Sequence, residues 1–389
     1  MKILIAIDTF WTNNNGTSIS AQRFTEVLRR HGHEVRILAT DERYPDEKGL
    51  KDDLYLLPEF HLHPFNGLIH KHGFRFAKCD RAIIREAVAW AEVVHCMMPF
   101  PLTRAVKREA DRQGKPATAA FHIQPENITS NIRLNKIKPV TSFVYEMWWQ
   151  YIYRDFQHIH CPSQFMADQL IKHGYKGQLH PISNGIDPSF RYTKRAKDKK
   201  WEGKLLVIMT GRLANEKRQD LLLRAVGISR YSDQIQLIFA GKGPELHKYE
   251  KMGRQLPNKP IFGYYSREEL QDLLSQADLY VHTSDMESEA IGCIEGFAMG
   301  LVPVISDSSL SATRQFALDE RSLFHVGDPN DLASKIDYWL SHTDERKRME
   351  HQYAEFASHY QIEESVCKFE EMLQMQIDET AKGSKRKSK

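Results

Sequence analysis

Apolar residues in this chain fall into short unbroken runs separated by stretches of helical spacing. ILIAI near the start is followed by Ala21, Phe24, Val27 and Leu28 at three- and four-residue intervals. VRILA comes next, and later EVVHCM, PATAAFH and HIHCPS. Unbroken runs with interleaved amphipathic stretches predict parallel strands joined by crossover helices, in a sheet covered on both faces.

The same rhythm returns in the second half, through LLVIM, IQLIFAG, KPIFGY, DLYVHTS, VPVIS and SLFHV. Between the halves, after the turn SNGIDP, lies the charged stretch RYTKRAKDKKWEGK, read here as a linker that joins neither core. The chain of 389 residues therefore divides into two α/β domains, 1–185 and 186–355. A helical segment over 356–380 and a lysine-rich, mobile tail over 381–389 follow.

Composition narrows the picture. With 41% hydrophobic and 27% charged residues the chain packs cores, and a net charge of +3 argues against a surface built to wrap nucleic acid. The five cysteines show no C-x-x-C spacing, so neither a disulfide framework nor a zinc site is indicated, and a reducing cytosol is the expected compartment. Asp8 ends the first apolar run too early for a signal peptide, and no apolar run is long enough to span a membrane.

Three loops that follow strands hold candidate chemistry. In DTFWTNNNGTS, Gly16 stands between a strand and a helix whose N-cap is expected at Thr17 or Ser18, a place suited to a phosphate or a sugar oxygen but also to a plain turn. In TGRLANEKRQD, Arg212 and Lys217 could jointly neutralise a diphosphate, or be two solvated cations. In MESEAIGCIEGFAMG, Glu287 and Glu295 have seven residues between them. The macrodipole alone accounts for a Glu295 in a first helical turn, but not for Glu287. Paired sugar hydroxyls would use both carboxylates, and the N–H groups of Ala290, Ile291 and Gly292 open the helix toward an anion.

GRLANEK, FGYYSREEL and the E-x7-E stretch followed by GFAMGLVPVIS resemble the retaining nucleotide-sugar glycosyltransferases of family 4. HGHEVRILA, HCMMPFPL, FHIQPEN, HCPSQ and ISNGID resemble the same family in the first half. The resemblance implies a GT-B fold, two Rossmann-like domains facing a central cleft with a C-terminal helix crossing back to the first. It implies that Arg212 and Lys217 hold the donor diphosphate and that Glu295 binds the ribose. Glu287 would contact the donor sugar, the backbone near Gly263 and Tyr264 would read the base, Gly16 would let backbone approach the donor, and His122 would lie near the acceptor and sugar. Glu289 and Ala290 depart from the Phe-Gly of many members, which opens the identity of the donor sugar. The chain has no Asp-x-Asp, so no metal or other cofactor is expected and fixed cations take that role.

For the acceptor, Arg133, Lys136 and Lys138 precede an aromatic run that includes Trp148 and Trp149, a pairing suited to an anionic membrane surface or, alternatively, to an amphipathic helix packed on its own domain. MMPFPL and FHIQPEN are similar to segments of bacterial diacylglycerol alpha-glucosyltransferases. The expected activity is retaining transfer of glucose from UDP-glucose to a membrane lipid such as diacylglycerol, by a cytoplasmic protein peripheral at the inner face of the cell membrane. Partners would be the nucleotide sugar, the lipid or sugar acceptor and the membrane, with no nucleic acid. The alternatives are a soluble or cell-envelope polysaccharide acceptor, a non-catalytic nucleotide-sugar-binding subunit, and a nucleotide-sugar epimerase.

Overall fold

A computed structural model describes residues 1–12, 16–41, 43–44, 47–61, 66–71, 75–126 and 138–387. The chain forms two compact units, Met1–Asn184 with Ile362–Lys389, and Gly185–Gln361.

In the first unit, Lys2–Thr9 lies centrally in an eight-stranded sheet. On one side of it stand Val93–Cys96, Ala117–Ala120, His158–Cys161 and Gln178–Pro181, all parallel. On the other stand Glu34–Thr40, Leu54–Leu56 and the single antiparallel edge strand Gly49–Lys51. The central strands are buried at nearly every position, as expected of parallel strands covered on both faces. The helix Ile362–Lys387 packs on Gly16–Arg30 and on two of the strands, and its Phe369 ring sits 5.4 Å from that of Phe24.

The second unit has a six-stranded, wholly parallel sheet in the order Ile261–Gly263, Ile235–Ala240, Leu205–Thr210, Leu279–His282, Pro303–Ser306, Leu323–Phe324. Two of its helices start at side-chain caps. Ser266 and Glu269 form a reciprocal capping box, and Asp328 caps a helix with Pro329 in its first turn.

Three expectations need correction. The stretch from Arg191 to Lys204 is not a detached linker: it belongs to the second unit, buries Trp201 in that core and pairs Lys197 with Asp278. An indole buries enough apolar surface to hold such a segment down despite its charges. The helix that joins the first unit starts at Ile362 and runs to Lys387, so most of the lysine-rich end is helical, while Thr343–Ser358 belongs to the second unit. Finally, Gly16 is itself the first helical residue. The Ser18 hydroxyl, expected as a cap, instead donates to the Thr9 carbonyl at 2.6 Å.

Candidate active site

The sheet of the second unit reverses direction beside Leu205–Thr210. The chain steps outward through two strands, then returns to the other side of Leu205–Thr210 as Leu279–His282. Ligands of open α/β sheets bind outside the carboxyl ends of the strands at such a reversal. The loops leaving these two strands carry Arg212 and Lys217 on one side and Glu287 on the other.

The two loops are stitched together. The Thr283 hydroxyl lies 2.8 and 2.9 Å from the carbonyls of Lys217 and Arg218. The Asp285 N–H donates to the Glu216 carbonyl at 2.9 Å. Arg218, in left-handed backbone with φ 55°, joins Asp220 at 3.2 Å to Asp285 at 3.1 Å. Strain of this kind persists only where surrounding bonds over-determine it, as these do.

At the centre is buried Glu287. Its Oε1 accepts from the Lys217 ammonium and lies 2.7 Å from His282 Nε2, which is 2.9 Å from the Ser284 hydroxyl. Burial pushes the Glu287 carboxyl up, but the Lys217 charge and the His282 contact outweigh it and hold the group well below the usual carboxylate range. Glu287 is thus an ionised carboxylate and an acceptor, not a proton donor. Arg212 Nη2 pairs with Glu216 at 2.6 Å, and the Gln219 amide donates to the Arg212 carbonyl at 2.9 Å. Each expected cation therefore has its own glutamate, which fixes its direction.

Beyond Glu287 the helix Ile291–Ala298 opens at Ala290, which has φ 73° and ψ 66°. Left-handed backbone costs an alanine roughly 1–2 kcal/mol, so the loop imposes a glycine conformation on a residue with a side chain. Gly292 has no room for one: a Cβ there would stand 2.2 Å from the Thr210 hydroxyl. Glu295 is buried in the second turn, since the first is Ile291 to Ile294. The macrodipole, which fades within the first turn, therefore does not explain it. At the neighbouring strand Gly263 accepts from the Gly241 N–H at 2.7 Å, while the exposed Tyr264 ring stacks under Lys242 Nζ at 4.2 Å.

Arg212, Lys217, Gly263, Tyr264, Glu287, Ala290, Ile291, Gly292 and Glu295 all belong to the second unit, and the Lys217–Glu287 pair is a direct contact. Gly16, His122, Lys138, Trp148 and Trp149 belong to the first unit, and Arg133 and Lys136 lie outside the described residues. His122 follows the strand Ala117–Ala120 and is buried with His95 and His160 around a void of about 10 Å³. Burial first, then the neighbouring rings, push His122 well below the ordinary imidazole value, so it is neutral. Trp148, expected at a membrane surface, is only 4% exposed and packs edge-on to Phe121; Trp149 is half-buried beside Tyr175. The helix Lys138–Tyr151 instead exposes Phe143 (68%) and Tyr151 (57%). The reason is the helical period, which turns Tyr145 and Trp148 inward together.

Sequence reasoning missed His282, Ser284, Arg218 and Asp285. The available signal was a histidine at the last position of a buried strand, in DLYVHTS, at the end where parallel sheets place their ligands.

Two Rossmann-like sheets, parallel but for one edge strand, the second with paired cations at its reversal point, define an α/β protein with a charged cluster at its strand ends. The chain belongs to the family 4, or group 1, glycosyltransferases: residues 14–190 match the family Glycosyltransferase Family 4 and residues 190–356 match Glycosyl transferases group 1. It is 28% identical over 314 residues to a GDP-mannose-dependent alpha-mannosyltransferase of Corynebacterium glutamicum, an alignment of 78% of this chain and 72% of the relative. It is 23% identical over 329 residues to the alpha-monoglucosyldiacylglycerol synthase of Streptococcus pneumoniae, covering 79% of this chain and 71% of the relative. The fold is that of Anabaena HepE in complex with UDP and glucose, with a TM-score of 0.71 and 14% identity over 96% of this chain and all of that one (100%). The GT-B fold expected from the sequence is therefore the fold of this chain.

Proposed function

We propose that this glycosyltransferase moves a hexose from a nucleoside diphosphate sugar to the hydroxyl of a membrane lipid, with retention at the anomeric carbon. The observation that carries the reading is the Lys217–Glu287–His282 cluster beside Arg212 at the reversal point of the second sheet. Arg212 and Lys217 would face the diphosphate and stabilise the charge that grows on the leaving phosphate, a role fixed cations perform without a metal or other cofactor. Glu287, ionised and acceptor-only, would take hydrogen bonds from sugar hydroxyls, and Glu295 from the ribose. The neutral His122 would accept from a sugar or acceptor hydroxyl. In this reading the protein works at the inner face of the cell membrane. Phe143 and Tyr151 would touch the bilayer, with the Arg104 guanidinium 5.4 Å over the Tyr151 ring; among the described residues no helix is long and apolar enough to cross it.

UDP-glucose is the proposed donor. The mannosyltransferase relatives favour GDP-mannose as the second reading. The test is a panel of UDP-glucose, UDP-galactose and GDP-mannose against diacylglycerol in anionic vesicles, and against soluble sugars, with the product anomer read by NMR. Transfer of glucose to a lipid as the α-anomer is expected. Transfer only to soluble sugars, or an inverted product, would overturn the reading.

A further inference from the structure

The end of Gly16–Arg30 and the face of Ile362–Lys387 packed on it bring together residues 339 positions apart. His31 Nδ1 lies 2.8 Å from Glu370 Oε1. Cys367 stands one turn before Glu370 on the same helix, and the donor atoms of His31, Cys367 and Glu370 all lie within 4.8 Å of one another. A histidine–carboxylate ion pair accounts for two of these groups. It does not account for a thiol placed beside them.

The surroundings are those of a metal ligand set. The other nitrogen of His31, Nε2, is 3.1 Å from Glu363 Oε2, and Glu363 is held in turn by Arg30 at 2.7 Å. Both ring nitrogens of His31 thus face carboxylates; once the Nδ1 proton is displaced by an ion, Glu363 on Nε2 holds the tautomer that ligates through Nδ1. His33 Nε2, at 2.9 Å from the same Glu370 oxygen, holds that carboxylate in turn.

We propose that His31 Nδ1, the Cys367 thiolate and the Glu370 carboxylate bind a zinc ion on the first unit, with water in the fourth position. Imidazole, thiolate and carboxylate are zinc donors, whereas calcium and magnesium take oxygen alone. A tetrahedral site with bonds of about 2.0–2.3 Å holds its donors roughly 3.3–3.8 Å apart, a closure within reach of side-chain rotation. On binding, the Cys367 thiol proton and the His31 Nδ1 proton both pass to solvent, and the zinc stays divalent. The ion would staple the C-terminal helix to the first helix and stabilise the fold in proportion to its occupancy. Sequence spacing could not show it, because the ligands come from opposite ends of the chain.

Cys367 and Cys79 are the exposed cysteines among the five, so one reports on the site and the other serves as an internal control. Full-length protein stripped with chelator is treated with iodoacetamide, with and without zinc chloride, and alkylation of each cysteine is followed by peptide mass spectrometry. Zinc is expected to slow alkylation of Cys367 about tenfold or more by engaging the thiolate, and to leave Cys79 unchanged. His31→Gln and Glu370→Gln should abolish the protection, and Glu363→Gln should weaken zinc affinity about 10–100-fold. Equal slowing at both cysteines, no slowing at Cys367, or protection that survives His31→Gln would overturn the site.

Discussion

Both units end their central parallel strands in buried histidines, yet the two groups live in opposite electrostatic surroundings. In the first unit His95, His122 and His160 line one void, and burial holds all three below the ordinary value, His160 at about 4. His95 is bonded to the Thr118 hydroxyl and His160 to the Ile182 carbonyl, both uncharged partners. In the second unit His282 faces an ionised Glu287 that is shared with Lys217. Similar sheets thus offer a neutral, hydrogen-bonding surface in one unit and a charged one in the other. Under the proposed function the charged surface would meet the diphosphate and the neutral one a weakly acidic hydroxyl.

The comparison breaks most visibly at Lys217. Lys217→Ala removes the charge proposed to face the leaving phosphate and is expected to lower kcat about 10²–10³-fold, as loss of one preorganised donor does elsewhere. It also leaves the buried Glu287 charge with the His282 contact alone, costing up to about 3–5 kcal/mol in urea denaturation. Full transfer activity in this variant would remove the charged unit from the chemistry.

Acid should separate the units next. Below about pH 6.5 the unfolded chain takes up protons on the histidines that the folded first unit refuses, so its stability falls as pH drops toward 4, by ~3 kcal/mol for His160 alone. Asp8 works the other way, because burial raises it to about 7 and its protonation favours the fold, offsetting one of the three histidines. The depressed Glu287 carboxyl stabilises above its unfolded value of 4.5, and that contribution is lost only as pH falls below it. Peptide-resolved hydrogen exchange between pH 7 and 5 should therefore show the strands Val93–Cys96 and His158–Cys161 opening before Leu205–Thr210. The reverse order would show that the depressed histidines do not control acid stability.

Smaller effects sharpen the helix that follows Glu287. Gly292→Ala forces a Cβ against the Thr210 hydroxyl and should cost about 1–3 kcal/mol, read as a lower urea midpoint. Ala290→Gly should add up to about 1 kcal/mol of stability, read as a higher midpoint, because relief of the left-handed alanine exceeds the extra entropy of an unfolded glycine. A loss of stability in Ala290→Gly would mean that the alanine methyl packs more favourably than its backbone strains.

Many strands of both sheets were legible in the sequence because buried parallel strands leave unbroken apolar runs, whereas their order in each sheet was not. LLVIM and IQLIFAG are the strands Leu205–Thr210 and Ile235–Ala240 within a residue or two. Arg212, Lys217 and Glu287 were legible for a related reason: they follow strands, and a parallel sheet collects strand ends on one edge. The partner of Lys217 was not, since it meets Glu287 70 positions away. The conformation of Ala290 was hidden because an alanine advertises no left-handed turn. Trp201 was hidden because one indole in a run of lysines and arginines looks like linker. Trp148 misled for the opposite reason: an aromatic run reads alike whether it faces lipid or core, and only the packing of Tyr145 and Trp148 against Phe121 decides.

The central claim is that the charged cluster of the second unit holds the diphosphate of a nucleotide sugar. Isothermal titration of UDP and GDP into the wild type, Arg212→Ala and Lys217→Ala tests it without any assumption about the acceptor. The account predicts that one of the two nucleotides binds the wild type and that each substitution weakens it about tenfold or more, as loss of a charge-assisted contact worth roughly 1.5–3 kcal/mol requires. Equal affinity in all three proteins would place the diphosphate elsewhere and contradict the account.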